Sequence, residues 1–88
     1  MKLKEGFVLR KVADTYVVVA VGEESRDFNG IIRLNDTGRF LWEKLQGDIS
    51  EDGLVSAMLL EYDIDEATAG ADIDRFIEKV SAQCLLEE

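Results

Sequence analysis

The first third of the chain is rich in residues that favour β-strands. Residues 7–12 and 15–21 form two runs of mainly valine, leucine, phenylalanine and tyrosine, and Ala13 and Asp14 separate them. This pattern predicts an antiparallel hairpin. A polar loop follows, after which Asn29 and Gly30 open a third predicted strand over residues 30–34.

From residue 35 onward the spacing of apolar residues changes from about two to about 3.6, which is the period of an α-helix. The pattern predicts three helices, over residues 36–46, 51–62 and 66–84. Asn35, Ser50 and Asp65 stand just before these segments, and their side chains can accept hydrogen bonds from first-turn N–H groups. We therefore expect each of the three to be a helix N-cap.

Two residues of the first helix are expected to have packing roles. Trp42 is the only tryptophan, and its place on the inner side of the helix predicts a core residue rather than a ligand-stacking ring. Gly38 lacks a Cβ, which suits a close approach of strand and helix.

Three strands followed by three helices, joined by short connections, predict one α+β domain over residues 1–88. The order favours a winged-helix-like arrangement, in which a three-stranded antiparallel sheet precedes a three-helix bundle.

The charge is distributed unevenly. The chain has 10 basic and 19 acidic residues, for a formal net charge of -9, but residues 1–47 carry eight basic and seven acidic side chains. Residues 48–88 carry Arg75 and Lys79 against twelve carboxylates. The acidic half would repel nucleic acid, so the composition argues against a DNA or RNA partner.

The composition also argues against catalysis. There is no histidine, so neither a Ser-His-Asp nor a Cys-His site is possible, and no glycine-rich phosphate loop is present. We expect no cofactor and no metal. Cys84 is the only cysteine and lies on the apolar side of the third helix, which predicts a small buried residue. With no apolar run of membrane-spanning length, the chain is expected to be a cytoplasmic protein without a membrane partner.

The pattern leaves one candidate binding surface. The third strand comes last in the sheet, which predicts that one of its edges is open, and an extended peptide could add to it through main-chain hydrogen bonds. A helical wheel places Asp72, Phe76, Lys79 and Gln83 together on one flank of the third helix. Periodicity alone favours a simpler interpretation, in which this flank is a solvated helix border and the N-terminal segment covers the strand edge.

The segment "FNGIIRLNDTGRFLWEKLQG" and the residues after it resemble a known family, coenzyme PQQ synthesis protein D (PqqD-like proteins). The resemblance covers essentially the whole chain, and D-x-x-x-F at Asp72 and Phe76 supports it. Its most specific part is the pattern L-N-x-T-G-x-x-x-W, at Leu34, Asn35, Thr37, Gly38 and Trp42.

The resemblance implies a winged-helix-like protein that is not an enzyme and serves as a recognition element for ribosomally made, modified peptides. Such proteins bind the leader segment of a precursor peptide as an added strand and deliver it to a modifying enzyme, often of the radical S-adenosylmethionine type. The implied peptide-binding residues are Gly30, Ile31, Ile32, Arg33, Leu34, Asp72, Arg75, Phe76 and Lys79. Family members usually have glycine where this chain has Cys84, which predicts that the last helix continues instead of ending at a left-handed cap.

Two other functions remain open at this point. One is a winged-helix DNA-binding regulator, which the acidic last helix disfavours. The other is a structural subunit that forms a weak homodimer through the edge of the third strand; otherwise the protein would be a monomer.

Overall fold

The computed structural model describes residues 1–22 and 31–87. Within these ranges the chain forms five strands and three helices: β1 (Lys2–Leu3), β2 (Phe7–Val12), β3 (Thr15–Ala20), β4 (Ile32–Leu34), α1 (Asp36–Lys44), α2 (Glu51–Glu61), α3 (Glu66–Ala82) and β5 (Leu86–Glu87). The predicted third strand began at Gly30, which lies outside the described residues.

A three-stranded antiparallel sheet with the order β2-β3-β4 forms one layer of the fold. The β2–β3 hairpin closes over a two-residue turn, because Val12 pairs with Thr15. Ala13 in this turn has a φ of 54°, a left-handed conformation that glycine adopts more readily. In the second pairing Val18 lies opposite Ile32, and β4 is one of the two edge strands, with β2 at the other edge.

Each helix begins at the predicted cap. The side chain of Asn35 accepts from Gly38 N at 2.8 Å, Ser50 Oγ accepts from Gly53 N at 3.0 Å, and Asp65 Oδ1 accepts from Thr68 N at 2.7 Å. The three N-cap predictions are confirmed. The helices end up to two residues earlier than their periodicity indicated, at Lys44, Glu61 and Ala82.

The apolar faces of the helices and one face of the sheet enclose a common hydrophobic core. Val18, Ile32 and Leu34 come from the strands, and the helices supply most of the rest of the cluster: Phe40, Leu41, Trp42, Leu45, Leu54, Met58, Ala69, Ile73, Phe76 and Val80. Trp42 is 3% exposed, which confirms its prediction as a core residue. The predicted α+β class, with a three-stranded antiparallel sheet followed by three helices, is confirmed.

A second, two-stranded sheet was not predicted. β1 and β5 pair antiparallel at the two ends of the chain, with Leu3 opposite Leu86. Leu3 N also donates to Leu45 O at 2.9 Å, and Lys4 N to Leu85 O at 2.7 Å. One interpretation of the sequence placed the N-terminal segment over the edge of β4. The segment instead pairs with β5.

The end of α3 corrects two expectations. The helix stops at Ala82, and Cys84 has a φ of 60° although it is not glycine. Cys84 N donates to Ser81 O at 3.0 Å and Leu85 N to Val80 O at 2.9 Å, the two hydrogen bonds of a Schellman motif. The helix therefore ends at a left-handed residue even without glycine.

Cys84 is also exposed, whereas the sequence predicted that it is buried. The reason is that the left-handed turn directs the chain back to the core one residue later, so Leu85, at 1% exposure, takes the buried position next to Val80. None of the helices in the described parts of the chain has both the length and the apolar character needed to span a membrane.

Candidate functional site

A cleft of about 290 Å³ lies between the end of β4, the first turns of α1 and one flank of α3. The residues that line it are Leu34, Asn35, Thr37, Gly38, Leu41, Asp72, Arg75, Phe76 and Lys79. The cleft is at the small end of the range for ligand pockets, which is about 300 to 1,000 Å³. Its size suits one or two side chains better than a large cofactor.

Apolar and polar residues divide the lining of the cleft. Leu34, Leu41 and Phe76 belong to the hydrophobic core and are at most 5% exposed, so the cleft reaches down to the core surface. The polar groups come from the start of α1 and from α3. A group that enters this cleft would therefore meet apolar surface below it and polar side chains around it.

Gly38 allows the strand and the helix to come close together at one wall. A Cβ at this position would lie 3.2 Å from the Cβ of Leu34 and 3.2 Å from Asn35 Oδ1, which is tighter than ordinary van der Waals contact. The predicted close approach is confirmed. Because Asn35 uses its side-chain oxygen to cap α1, this wall is held by a hydrogen bond as well as by packing.

Lys79 connects α3 to the edge strand. Its ammonium donates to the main-chain carbonyl oxygen of Arg33 at 2.6 Å, across the mouth of the cleft. Arg33 is exposed, whereas Ile32 and Leu34 on either side of it are buried. One main-chain acceptor at the edge of the sheet is therefore bound by a side chain, and no strand in the described parts of the chain pairs with this edge.

Asp72 and Arg75 form an ion pair on the flank of α3, one turn before Lys79. The Arg75 side chain is 75% exposed and that of Asp72 is 24% exposed. Such an exposed pair contributes little to stability, so its charged groups remain available for other partners.

The first turn of α1 is also tied to the end of α2. The Tyr62 hydroxyl donates to Asp36 Oδ2 at 3.0 Å, and its ring meets Phe40 edge-on, with centroids 5.4 Å apart. Burial, with a smaller effect from the hydrogen bond to Asp36, raises the pKa of the Tyr62 phenol above its ordinary value. These contacts hold the α1 wall of the cleft in place from outside.

The structure brings together five of the nine predicted site residues as side chains lining the cleft: Leu34, Asp72, Arg75, Phe76 and Lys79. Ile31 is 65% exposed, Ile32 is buried in the core, and Arg33 contributes its carbonyl group. Gly30 lies outside the described residues. Gln83, which the helical wheel placed on the same flank, is the C-cap of α3 and does not line the cleft.

Four lining residues were not assigned to the site from the sequence: Asn35, Thr37, Gly38 and Leu41. Three of them belong to the L-N-x-T-G pattern, for which the sequence predicted only a helix cap at Asn35 and a close approach of strand and helix at Gly38. Within the described residues no group of three or more potential metal ligands occurs.

Comparison with known protein families shows to which family the chain belongs. The model of coenzyme PQQ synthesis protein D (PqqD) matches residues 15–86. The chain belongs to the PqqD family. The matched segment begins with β3 and includes β4 and all three helices, and therefore every residue of the cleft. The family resemblance seen in the sequence is confirmed.

The fold of this PqqD family member is similar to a solved structure described as TbiB1 in complex with the TbiA(beta) leader peptide. The TM-score is 0.75 at 23% sequence identity, over 99% of this chain and 95% of the other. The two proteins share a fold across nearly their whole length. A search of curated protein sequences gave no match.

Proposed function

We propose that this PqqD family member is a non-catalytic peptide-binding protein. It captures the leader segment of a ribosomally made precursor peptide and presents it to a modifying enzyme. The observation that carries the proposal is an edge of β4 with which no strand of the described residues pairs, directly beside a cleft whose floor is apolar. Membership of the PqqD family and the shared fold with TbiB1, which was solved with a leader peptide, support the same function.

The edge strand suggests how the peptide binds. In an antiparallel pair, successive residues direct their main-chain groups alternately towards the neighbouring strand and away from it. Because the Arg33 carbonyl accepts from Lys79, Arg33 is a residue whose main-chain groups face the open edge, and Ile31 is the next in the alternation. The leader would add to β4 by hydrogen bonding to these two residues.

The cleft suggests what is recognised besides the main chain. Alternate side chains of an added strand point to the helix side of the sheet, where Phe76, Leu41 and Leu34 form an apolar floor. An apolar leader side chain would occupy this floor. Polar side chains two residues before or after it, which lie on the same face of the added strand, would meet Arg75, Asp72 or Lys79 at the rim.

Chemistry on the peptide would then be performed by the partner. We propose an enzyme of the radical S-adenosylmethionine type or another peptide-modifying enzyme in the cytoplasm. The absence of histidine from the sequence fits a binding role. The exposed acidic residues of α3, Asp74 and Glu78 among them, disfavour the alternative of a DNA-binding regulator.

The site is tested by titrating isotope-labelled protein with the leader segment of a precursor peptide encoded nearby. We expect amide shift changes concentrated at residues 31–35 and 72–79, and none of this size with a scrambled leader. Shifts confined to other parts of the chain would refute the site. Concentration-dependent dimerisation without any affinity for peptide would instead favour a homodimer that pairs through β4.

Lys79 provides the sharpest variant. Lys79→Glu would place a carboxylate next to the carbonyl oxygens of the bound peptide, so we expect binding to weaken by about 1 kcal/mol, or roughly fivefold in Kd, with a dependence on salt. Lys44→Glu is the matched control, since it makes the same change of charge on α1 at an exposed residue that does not line the cleft. Equal affinities of the two variants would remove Lys79 from the site.

A further inference from the structure

The outward face of the three-stranded sheet has an unusual composition. Side chains alternate between the two faces of a strand, and Val18, Ile32 and Leu34 belong to the core. On each strand, the residues that alternate with the core-facing ones therefore face outward. An outward face of an antiparallel sheet is normally polar, but here it is mostly apolar. Its residues are Val8, Arg10, Val12, Thr15, Val17, Val19, Ile31 and Arg33, and we call them the outer sheet face.

The pairing register arranges these side chains in rows across the strands. Val8 lies opposite Val19 on β3, and the register of β3 with β4 places Ile31 on the other side of Val19. These three residues form an apolar row. In the next row Val17 lies between Arg10 and Arg33. Ile31 is 65% exposed and Val12 58%, and none of the outer-face valines or isoleucines belongs to the core cluster of the described residues.

The charges of the outer sheet face are all of one sign. It carries two arginines and no carboxylate, although the whole chain has a net charge of -9. Within the described residues neither Arg10 nor Arg33 makes an ion pair. A surface of this kind is complementary to an apolar patch bordered by carboxylates.

A second copy of the same chain fits this face poorly. Two outer sheet faces packed against each other would bring arginines together without carboxylates between them. Packing the face on the acidic half of another copy would join different surfaces, and such a contact generates rings or open filaments rather than a two-fold dimer. The charge pattern therefore favours a different protein as the occupant.

We propose that the outer sheet face is the docking surface for the peptide-modifying enzyme, through an apolar patch of that enzyme bordered by Asp and Glu. This inference rests on the proposed function. A leader added to β4 would extend the sheet beyond Arg33 and Ile31, and every second peptide side chain would lie on the same side as these two residues. Docking here brings the enzyme into contact with the bound peptide while α3 holds the other side chains.

The test compares Arg10→Glu with Lys4→Glu. Arg10 lies on β2 at the far side of the sheet from the peptide edge, and the control makes the same change of charge at an exposed residue next to the two-stranded sheet. The probes are the leader peptide and the purified peptide-modifying enzyme encoded beside this protein, each titrated by fluorescence anisotropy. We expect Arg10→Glu to weaken enzyme binding at least tenfold, with Arg10→Gln intermediate, while leader affinity stays within twofold of the parent.

Several outcomes would overturn the proposal. One is equal binding of the enzyme by the Arg10→Glu and Lys4→Glu variants. Others are self-association of the parent that Arg10→Glu abolishes, and binding of the parent to anionic phosphatidylserine vesicles in place of the enzyme. If the parent itself fails to bind the leader, the proposed function fails first, and the leader titration reveals this separately from the enzyme titration.

Discussion

Replacing Cys84 with glycine should stabilise the protein. Cys84 has a φ of 60° in the Schellman motif that ends α3, a conformation in which an L-residue brings its Cβ close to a neighbouring carbonyl oxygen. Its side chain is exposed, so little packing is lost with it. The substitution removes the steric cost and keeps both hydrogen bonds, because these use main-chain atoms only.

The size of the effect follows from two opposing contributions. A left-handed conformation costs a residue with a Cβ about 1–2 kcal/mol. Glycine loses more conformational freedom on folding than other residues, and this entropic cost lowers the free energy of unfolding by about 0.5–1 kcal/mol. We therefore expect Cys84→Gly to raise the free energy of unfolding by about 0.5–1 kcal/mol, or the Tm by about 3–6 °C for a domain of this size.

The assay is thermal and urea unfolding under reducing conditions, followed by circular dichroism. Cys84→Ala is the matched control, because it removes the sulfur but retains the Cβ and hence the strain. We expect alanine to leave the stability within a few tenths of a kcal/mol of the parent. If alanine stabilised the protein as much as glycine, or if glycine did not stabilise it, backbone strain at residue 84 would be the wrong explanation.

Three further substitutions test local features of the fold. Ala13→Gly should stabilise the β2–β3 turn by about 0.5–1 kcal/mol in urea unfolding, since Ala13 also has a positive φ; a loss of stability would contradict this. Asn35→Ala should lower the free energy of unfolding by about 1 kcal/mol, because it removes the side-chain acceptor of Gly38 N. Asn35→Asp keeps an acceptor and should retain most of this stability, and equal losses from the two substitutions would exclude capping as the cause. Hydrogen bonding from the Thr68 side chain, and then from the Thr68 N–H, holds the pKa of Asp65 below its ordinary value of about 3.9. The carboxylate therefore stabilises the fold above that pH and loses this effect as the pH falls through the lower folded pKa. Asp65→Asn should therefore flatten the fall of Tm with pH below about 4, and an unchanged acid profile would refute the linkage.

The sequence was sufficient for the elements whose signals are local. A helix start depends on a side chain and an N–H three residues later, as in the bond from Gly38 N to Asn35, so residue type and spacing predict it. The hairpin follows equally from two adjacent apolar runs. These features needed no knowledge of residues elsewhere in the chain.

The features that were missed depend on residues far apart in sequence. β1 and β5 are two residues each, and Leu3 meets Leu86 only because the helices bring the ends of the chain together. The end of α3 is decided by Leu85, which packs into the core after the left-handed turn at Cys84. Helical periodicity continues through residue 84 and carries no sign of this reversal.

The site was predictable on its helix side and only partly on the other. Asp72, Arg75, Phe76 and Lys79 lie within about two turns of one helix, so the family pattern and helical geometry both group them. The residues of the opposite wall depend on the angle at which α1 leaves β4, and no local sequence pattern predicts this angle. That is why Thr37 was missed although it stands in the most specific part of the family pattern.

The L-N-x-T-G corner therefore has two roles that the sequence could not separate. Asn35 caps α1 and also lines the cleft, and Gly38 permits the close approach to Leu34 and also forms part of the wall. Both walls are held from outside the cleft, α1 through the bond from Tyr62 to Asp36 and α3 through its core face. A cleft fixed in this way needs little rearrangement to accept a peptide side chain. The main change on binding therefore falls on the hydrogen bond from Lys79 to the Arg33 carbonyl oxygen, which crosses the mouth of the cleft.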